Sequence, residues 1–290
     1  MTQRPYQRSY AVDAGLSDAV FGLLDSWAPS IRALADRARR LNWAWERVST
    51  PFVYAEGGAL LSHVGVLEMP LFWMGAARRV GGIHAVCTHP EHRRRGLFRQ
   101  MMEDALRYCD ERYETVELTT DHPEYYEPFG FRVVPEHRFI AEVGSRGGRS
   151  GLRPLDFGVP RDLWLLDRLL EEREPVSRLL GVVNEQACFK FSQAESELLY
   201  AEALNVVVSL ALQDGHLELY DVVGPRVPVL AALLEEIDRP VDDVAIHFSP
   251  DRLDVRVRAE PPPPEFGRLM VRGPFPPEGG DFMLPPPARH

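Results

Sequence analysis

From Ile83 to Thr88 the chain carries a short β-rich run, Ile-His-Ala-Val-Cys-Thr, which passes through His89-Pro90-Glu91-His92 into Arg93-Arg94-Arg95-Gly96-Leu97-Phe98. Helical spacing follows at once, with Leu97, Phe98, Met101, Met102, Ala105, Leu106 and Cys109 on one face. A strand that turns directly into a helix through a glycine and three guanidinium groups restricts the chain to a mixed α/β layout. It also places unpaired N–H groups, the positive end of the helix dipole and the arginines at one point, which is the makeup of a phosphate cradle. Each charge-assisted contact there is worth about 1–3 kcal/mol. On its own, an arginine run more often means a solvated face, so the segment needs its context.

A Gly-Ser-Arg-Gly-Gly-Arg-Ser-Gly stretch at 144–151 reads as a flexible linker and divides the chain almost in half, into 1–144, a linker 145–151, and 152–290. Before it, Ser17–Trp27 and Ile31–Trp45 have helical spacing, and Phe52–Ala55, Ala59–Leu67 and Gly82–Thr88 read as strands. The helix Gly96–Glu111, the strand Thr115–Thr119, a short helix and Phe131–Val134 follow. After it, Leu163–Glu172 and Gln193–Glu202 read as helices, and Asn205–Gln213 with Leu217–Val223 as a hairpin turning at Asp214-Gly215. Val227–Ile237 reads as a helix and Val244–Phe248 as a strand. Hairpin, helix, strand and turn thus repeat the element order of the first half, as a duplicated unit would. Pro261–Pro264 and Pro285–Pro287 mark a loop and a proline-rich tail.

Composition removes several functional classes. The chain is 45% hydrophobic and 26% charged, so it is neither disordered nor fibrous. A net charge of −10 disfavours nucleic acid as a partner. The longest apolar stretch, Ala59–Ala77, is broken by His63, Glu68 and Pro70, and the first ten residues are polar, so we expect a cytoplasmic protein with no membrane partner. Cys87, Cys109 and Cys188 form no Cys-x-x-Cys pair and no zinc-type spacing with histidine, which points to a reducing compartment and no metal.

Past the next strand comes Asp121-His122-Pro123-Glu124-Tyr125-Tyr126-Glu127-Pro128-Phe129-Gly130-Phe131. Strand, Arg-x-x-Gly loop, helix, strand and Tyr-x-x-x-Gly-Phe, in that order, resemble the GNAT family of acyl-CoA N-acetyltransferases over about residues 10–143. The His-Arg-Arg-Arg-Gly-Leu stretch followed by a second domain looks most like the Eis-type amine acetyltransferases, although the chain is short for their third domain. The resemblance implies an α/β (α+β) fold of two GNAT-like lobes, each a mixed, mostly antiparallel sheet flanked by helices. The first lobe would be catalytic and the second degenerate.

It also implies roles for individual residues. Acetyl-CoA would be the co-substrate, its pantetheine arm pairing with the backbone of Val86, Cys87 and Thr88. Its phosphates would be held by Arg93, Arg94, Arg95, Gly96, Leu97, Phe98 and Arg99. Phe98 departs from the pattern, which has Gly or Ala there, so its ring must point away from the phosphates. Tyr126 matches the tyrosine that protonates the departing thiolate; a phenol with a pKa near ~10 is protonated at pH 7 and can act as an acid.

The amine acceptor must be deprotonated, since an alkylamine with a pKa near ~10 is almost wholly cationic at pH 7. His84, on the strand that often supplies a base in this family, is the candidate; a core histidine is the other reading. In Eis-type enzymes a terminal carboxylate acts at the site. Residue 290 falls in the other domain by the division above, so that role is not carried onto His290. Trp43, Trp45 and Trp73 could wall an amine pocket and Glu46 or Glu68 supply negative charge, against a reading of each as core or rim.

In the second half, Val222-Val223-Gly224-Pro225-Arg226-Val227-Pro228 stands where the phosphate loop would be. It lacks the Arg-x-x-Gly spacing, and its prolines remove N–H donors. That half is expected to close the substrate pocket or to pair subunits in a homo-oligomer. The leading expectation is an acetyl-CoA-dependent N-acetyltransferase acting on a small cationic amine. A relative of the two-lobed mycothiol synthases and a non-catalytic acyl-CoA sensor or scaffold are the alternatives.

Overall fold

In the computed structural model, which describes residues 5–290, the strands gather into two seven-stranded sheets flanked by helices. The first half supplies α1 (Leu16–Asp25), α2 (Ile31–Arg40), β1 (Thr50–Glu56), β2 (Ala59–Trp73), β3 (Ala76–Thr88), α3 (Leu97–Asp110), β4 (Val116–Thr120), β5 (Arg132–Val133) and β6 (Arg138–Ser145). The second supplies β7 (Leu152–Pro154), α4 (Pro160–Glu171), β8 (Leu180–Val182), α5 (Ala187–Ser192), β9 (Leu198–Ala201), β10 (Val206–Gln213), β11 (His216–Val223), α6 (Leu230–Leu234), β12 (Val241–Ile246), β13 (Arg258–Glu260) and β14 (Arg268–Arg272). Every pairing within the sheets is antiparallel except β3 with β4 and β11 with β12. The mixed, mostly antiparallel architecture expected from the sequence is therefore present. Among the described residues no helix is long and apolar enough to cross a membrane.

The division between the halves is not the expected one. The first sheet runs β1-β2-β3-β4-β14-β5 with β8 added to β2, and the second runs β13-β6-β12-β11-β10-β9-β7. Strand β14, from near the chain's end, thus fills the place between β4 and β5, while β6, from before the glycine-rich stretch, fills the place between β12 and β13. Each sheet is completed from the other half, the first by β8 and β14 and the second by β6. Nor is 145–151 a flexible linker. Gly148 N–H bonds the Ile237 carbonyl at 2.6 Å and Arg149 holds Glu236. A Cβ on Gly148 would stand 2.1 Å from the Glu235 carbonyl oxygen, and one on Gly151 would overlap the Glu236 carboxylate. These glycines allow close approach of two backbones, a use that the composition of a linker conceals.

Other segments differ from the sequence expectation for reasons of context. Residues 193–202 are not a helix: Leu198–Ala201 pairs with β10 as β9, because its four-residue apolar run completes a sheet more readily than a short helix. The helix expected over Val227–Ile237 contracts to α6. The proline-rich tail is core rather than surface, with Phe282, Met283, Leu284 and Ala288 all buried.

The two faces of the first sheet differ in chemistry. Phe52, Val64, Val66, Ile83, Leu118 and Met270 pack against Met101, Met102 and Ala105 of α3 in one apolar layer. The opposite face, covered by α1, α2, the 41–49 loop and the tail, carries polar groups among its apolar ones.

Candidate active site

The β3–α3 turn is built as the sequence suggests. Helix α3 starts at Gly96, whose φ of +78° puts it in the left-handed region, and Arg94 also has a positive φ of +64°. Two such residues in three turn successive N–H groups outward together at the head of a 14-residue helix. A Cβ on Gly96 would meet nothing within 4 Å, so the backbone there is open on its outer side. Arg93, Arg94, Arg95 and Arg99 are all exposed, while Leu97 is buried and anchors the turn. Arg93 donates to the Thr88 carbonyl at 3.3 Å, and Arg95 is shared between His92 and a two-oxygen grip on Glu56. Arg94 makes no hydrogen bond or ion pair among the described residues and is free to meet an anion. Phe98 turns away from the loop to meet Tyr126 and Phe129, ring centroids 5.8 and 5.5 Å apart. Its bulk therefore fits the cradle.

Beneath the turn the strands part. Strands β3 and β4 pair only at Gly81↔Val116 and Gly82↔Glu117, and beyond that register they diverge. One cause lies on the other edge of β3, where His63 pairs with Cys87 and Gly65 with His84, leaving Ala85 and Val86 opposite the single residue Val64. This is a β-bulge, with Ala85 at φ +49°, and it bends β3 away from its neighbour. At the bulge the carbonyls of Ala85 and Cys87 accept bonds from the His63 ring and the Ser62 hydroxyl, at 2.7 and 3.2 Å. The Cys87 side chain turns inward toward the Leu23 carbonyl, and burial raises its thiol pKa. The edge of β3 facing the gap is the place where an extended, amide-bearing chain can add to the sheet.

Tyr126 follows β4 through a short turn, Pro123–Tyr125, and its ring is buried against Phe98 and Phe131. The hydroxyl bonds no described residue, and burial pushes its pKa up to about 12, which keeps the phenol protonated at neutral pH.

On the polar face below the bulge, His84 is buried with Nε2 at 3.0 Å from the Ser49 hydroxyl and Trp45 edge-on at 4.6 Å. Burial, reinforced by neighbouring His63 and His290, holds its pKa well below the ordinary range, so the ring is neutral. His63 is likewise brought down to about 4 by burial, against the opposing bond to Ala85.

The sequence expectation for the chain's end is overturned here. His290 does not sit in the other half: its imidazole is buried on the first sheet, 6.5 Å from the His84 ring and with Nε2 3.4 Å from Glu117 Oε1. Arg289 gripping Glu136 at 2.7 Å, and the Leu284 N–H bonding the same carboxylate, latch the tail in that place. Glu117, on β4, is pushed up to about 8 by burial, with Arg289 opposing and Glu136 adding. His290 is brought down to about 4 by burial. Burial thus disfavours charge on both partners of this contact.

Two glycines make room for these rings. A Cβ on Gly65 would lie 2.3 Å from the His84 imidazole, and one on Gly82 2.6 Å from that of His290. Glu117, His63 and Ser49 were not singled out from the sequence as site residues, and His290 was set aside. Gly65 and Gly82, interrupting otherwise β-rich runs, were the available signal. Of the expected pocket residues, Trp45 reaches the site, and Trp43 lies over the Lys190 ammonium. Trp73 packs on Phe275 in the core, Glu68 pairs with Arg79 at the surface, and Glu46 is held by Ser17 and Arg39.

Comparison with known proteins agrees with this geometry. Residues 18–134 match the model of an acetyltransferase (GNAT) domain. Among solved structures, a probable N-acyltransferase from Enterococcus faecalis superposes with a TM-score of 0.56 at 12% identity, over 92% of this chain and 71% of that one. Eis1 from Mycobacterium abscessus gives 0.56 at 13%, over 90% and 71%. A GCN5-related N-acetyltransferase from Kribbella flavida gives 0.51 at 18%, over 93% and 72%. These likenesses establish a shared fold that includes the second sheet. A search of curated proteins finds no match. The cationic turn, the parted strands and the domain match all fall within residues 18–134, so that part of the chain is an acetyltransferase (GNAT) domain, on a fold that the chain shares with an Eis protein.

Proposed function

We propose that the protein transfers the acetyl group of acetyl-CoA to a primary amine, and that the amine is a small cationic molecule. The observation that carries the reading is the open arginine-bearing turn at Gly96, standing at the mouth of the gap between β3 and β4. The pyrophosphate would meet the N–H groups of the turn with Arg94 and its neighbours, and the pantetheine arm would lie along Val86, Cys87 and Thr88. The thioester would then come to the bulge. Tyr126, protonated and beside Phe98 at the same mouth, would give its proton to the departing sulfur. The second sheet would bind no cofactor and would wall the acceptor side.

Support for a cationic acceptor comes from the net charge of −10, which concentrates cations near the surface, and from a polar face enclosed by the tail and the 41–49 loop. A face covered in this way suits a compact ligand better than an extended peptide. The test is thiol release from acetyl-CoA with spermidine, kanamycin and lysine-containing peptides at low and high salt. The reading expects the small polyamines to give the higher kcat/KM and to lose it as salt is added. A tenfold preference for peptides would contradict the acceptor class, and no thiol release with any amine would contradict transfer.

A further inference from the structure

We propose that Glu117 is the group that takes the acceptor's ammonium proton, an inference that rests on the acetyltransferase reading above. The other buried carboxylates of this protein are all hydrogen-bonded. Glu136 accepts from Leu284 N–H and Arg289, Glu185 from the N–H groups of Cys188 and Phe189, Asp104 from Tyr6 N–H and Arg107, and Asp221 from Arg173. Glu117 is 1% exposed, yet neither of its oxygens accepts a well-formed hydrogen bond from a described residue, and His290 Nε2 stands off at 3.4 Å from Oε1. A carboxyl kept for structure would not be left so, because an unpartnered buried polar group costs stability. Nearby groups share the trait: His84 Nδ1, His63 Nε2 and Thr119 Oγ1 also lack a bond. A line of unsatisfied groups on one sheet face, ending where the strands part, is a place prepared for a guest with N–H donors.

Position and chemistry favour Glu117 over His84 within that line. Glu117 occupies the last register at which β3 and β4 remain paired, with Thr119 two residues further along the same face toward the gap. His84 and His290 lie between it and the bulge, at 6.5 Å from each other. The groups facing Glu117 are His290 and Arg289 from the tail, Glu136 from the segment before β6 and Cys188 from α5. In this setting His84 is a weak proton acceptor, held neutral by burial, whereas a carboxyl raised toward the amine range is matched to an ammonium donor.

The step balances as follows. Ionised Glu117 takes one N–H proton of the ammonium, leaving a neutral amine whose lone pair attacks the thioester carbonyl carbon. The C–N bond forms and the C–S bond breaks, its electron pair leaving on sulfur, which takes the Tyr126 phenolic proton. The second nitrogen proton lost as the amide forms restores the phenol, and the proton on Glu117 goes to solvent after the product leaves.

The experiment compares the parent, Glu117→Gln and His84→Gln, with acetyl-CoA and spermidine as probes across pH. The parent's kcat/KM should climb as pH passes about 8. Glu117→Gln should flatten that limb and lose about 10²-fold or more, while acetyl-CoA affinity by calorimetry stays within about twofold. Infrared difference spectra taken on either side of that pH should show a neutral carboxyl band disappearing in the parent and missing from Glu117→Gln. A variant that retains the limb and a rate within about threefold of the parent overturns the proposal, as does a band that persists unchanged in the variant. A limb lost in His84→Gln alone assigns the role to His84. If the parent acetylates no amine, the transfer reading falls and takes this role with it, an outcome distinct from loss in Glu117→Gln alone.

Discussion

The two sheets repeat one design and diverge at four positions. In the second sheet, β11 and β12 are the parallel pair, and β11 carries a bulge at the corresponding point, with Leu210 opposite Leu219, Ser209 opposite Asp221 and Tyr220 left over. Counted from the bulge and from the parallel register, Gly65, Gly82, His84 and Glu117 correspond to Leu210, Leu217, Leu219 and Val244. The first set houses two imidazoles and a carboxyl in the space two glycines leave, while the second is aliphatic and packs into an ordinary core. Pairing follows packing. The parallel contact ends at Gly82↔Glu117 in the first sheet but continues to Leu219↔Ile246 in the second, where His247 N–H adds a further bond to the Leu219 carbonyl. A bulge is therefore not enough to open a groove. The strands part only where the positions beside it lack the aliphatic side chains that hold them together, and where the following turn is a cationic helix start rather than Gly224-Pro225-Arg226-Val227-Pro228.

The comparison can be broken most drastically by cutting it in two. Because β14 sits between β4 and β5, and β6 between β12 and β13, residues 1–151 alone lack the strand that supplies the buried Leu269, Met270 and Val271. That fragment should show no cooperative thermal transition, while co-expression with 152–290 should restore one. A cooperative, monomeric 1–151 would refute the interlocked arrangement.

Next in size, Tyr126→Phe removes one hydroxyl and keeps the ring that packs on Phe98 and Phe131. We expect kcat to fall by about 10²–10⁴ with unchanged acetyl-CoA affinity. A rate within about threefold of the parent would make Tyr126 a packing residue, like the leucines of the second sheet.

A smaller effect separates Glu117 from its aliphatic counterpart Val244 through stability. The Glu117 carboxyl is raised in the folded state from 4.5 to about 8. The folded protein therefore binds the extra proton, and the associated stability is complete below the unfolded value and is lost as pH rises through the folded one. Relative to Glu117→Gln, the parent should lose up to about 1.4 kcal/mol per pH unit across that window, read by denaturant unfolding. Parallel stability curves for the two proteins would show that Glu117 titrates normally.

Sequence made some of this legible and hid the rest for physical reasons. The Arg93–Gly96 turn, α3 and Tyr126 stood out because local rules govern them: strand, turn and helix signals lie within a few residues of one another. The hairpin at Asp214-Gly215 was legible in the same way. The exchanged strands were not, because nothing in Arg138–Ser145 or Arg268–Arg272 encodes which sheet each will join, a choice made by long-range pairing. Glycines at 144–151 suggested freedom where they serve tight packing against Glu235 and Glu236. His290 was misplaced for the first of these reasons. The tail returns with β14 to the first sheet, and the Glu136–Arg289 latch that fixes it spans 153 residues of sequence.

The central claim is that one sheet of the two is built to take acetyl-CoA. Calorimetric titration of the intact protein with acetyl-CoA tests it most directly, alongside the double variant Arg94→Ala, Gly96→Asp. That variant removes the unpaired guanidinium and sets a carboxylate at the turn where the pyrophosphate would rest. The account predicts one equivalent bound per chain and binding abolished in the variant. A stoichiometry near two, or one equivalent with affinity untouched by the variant, would contradict it.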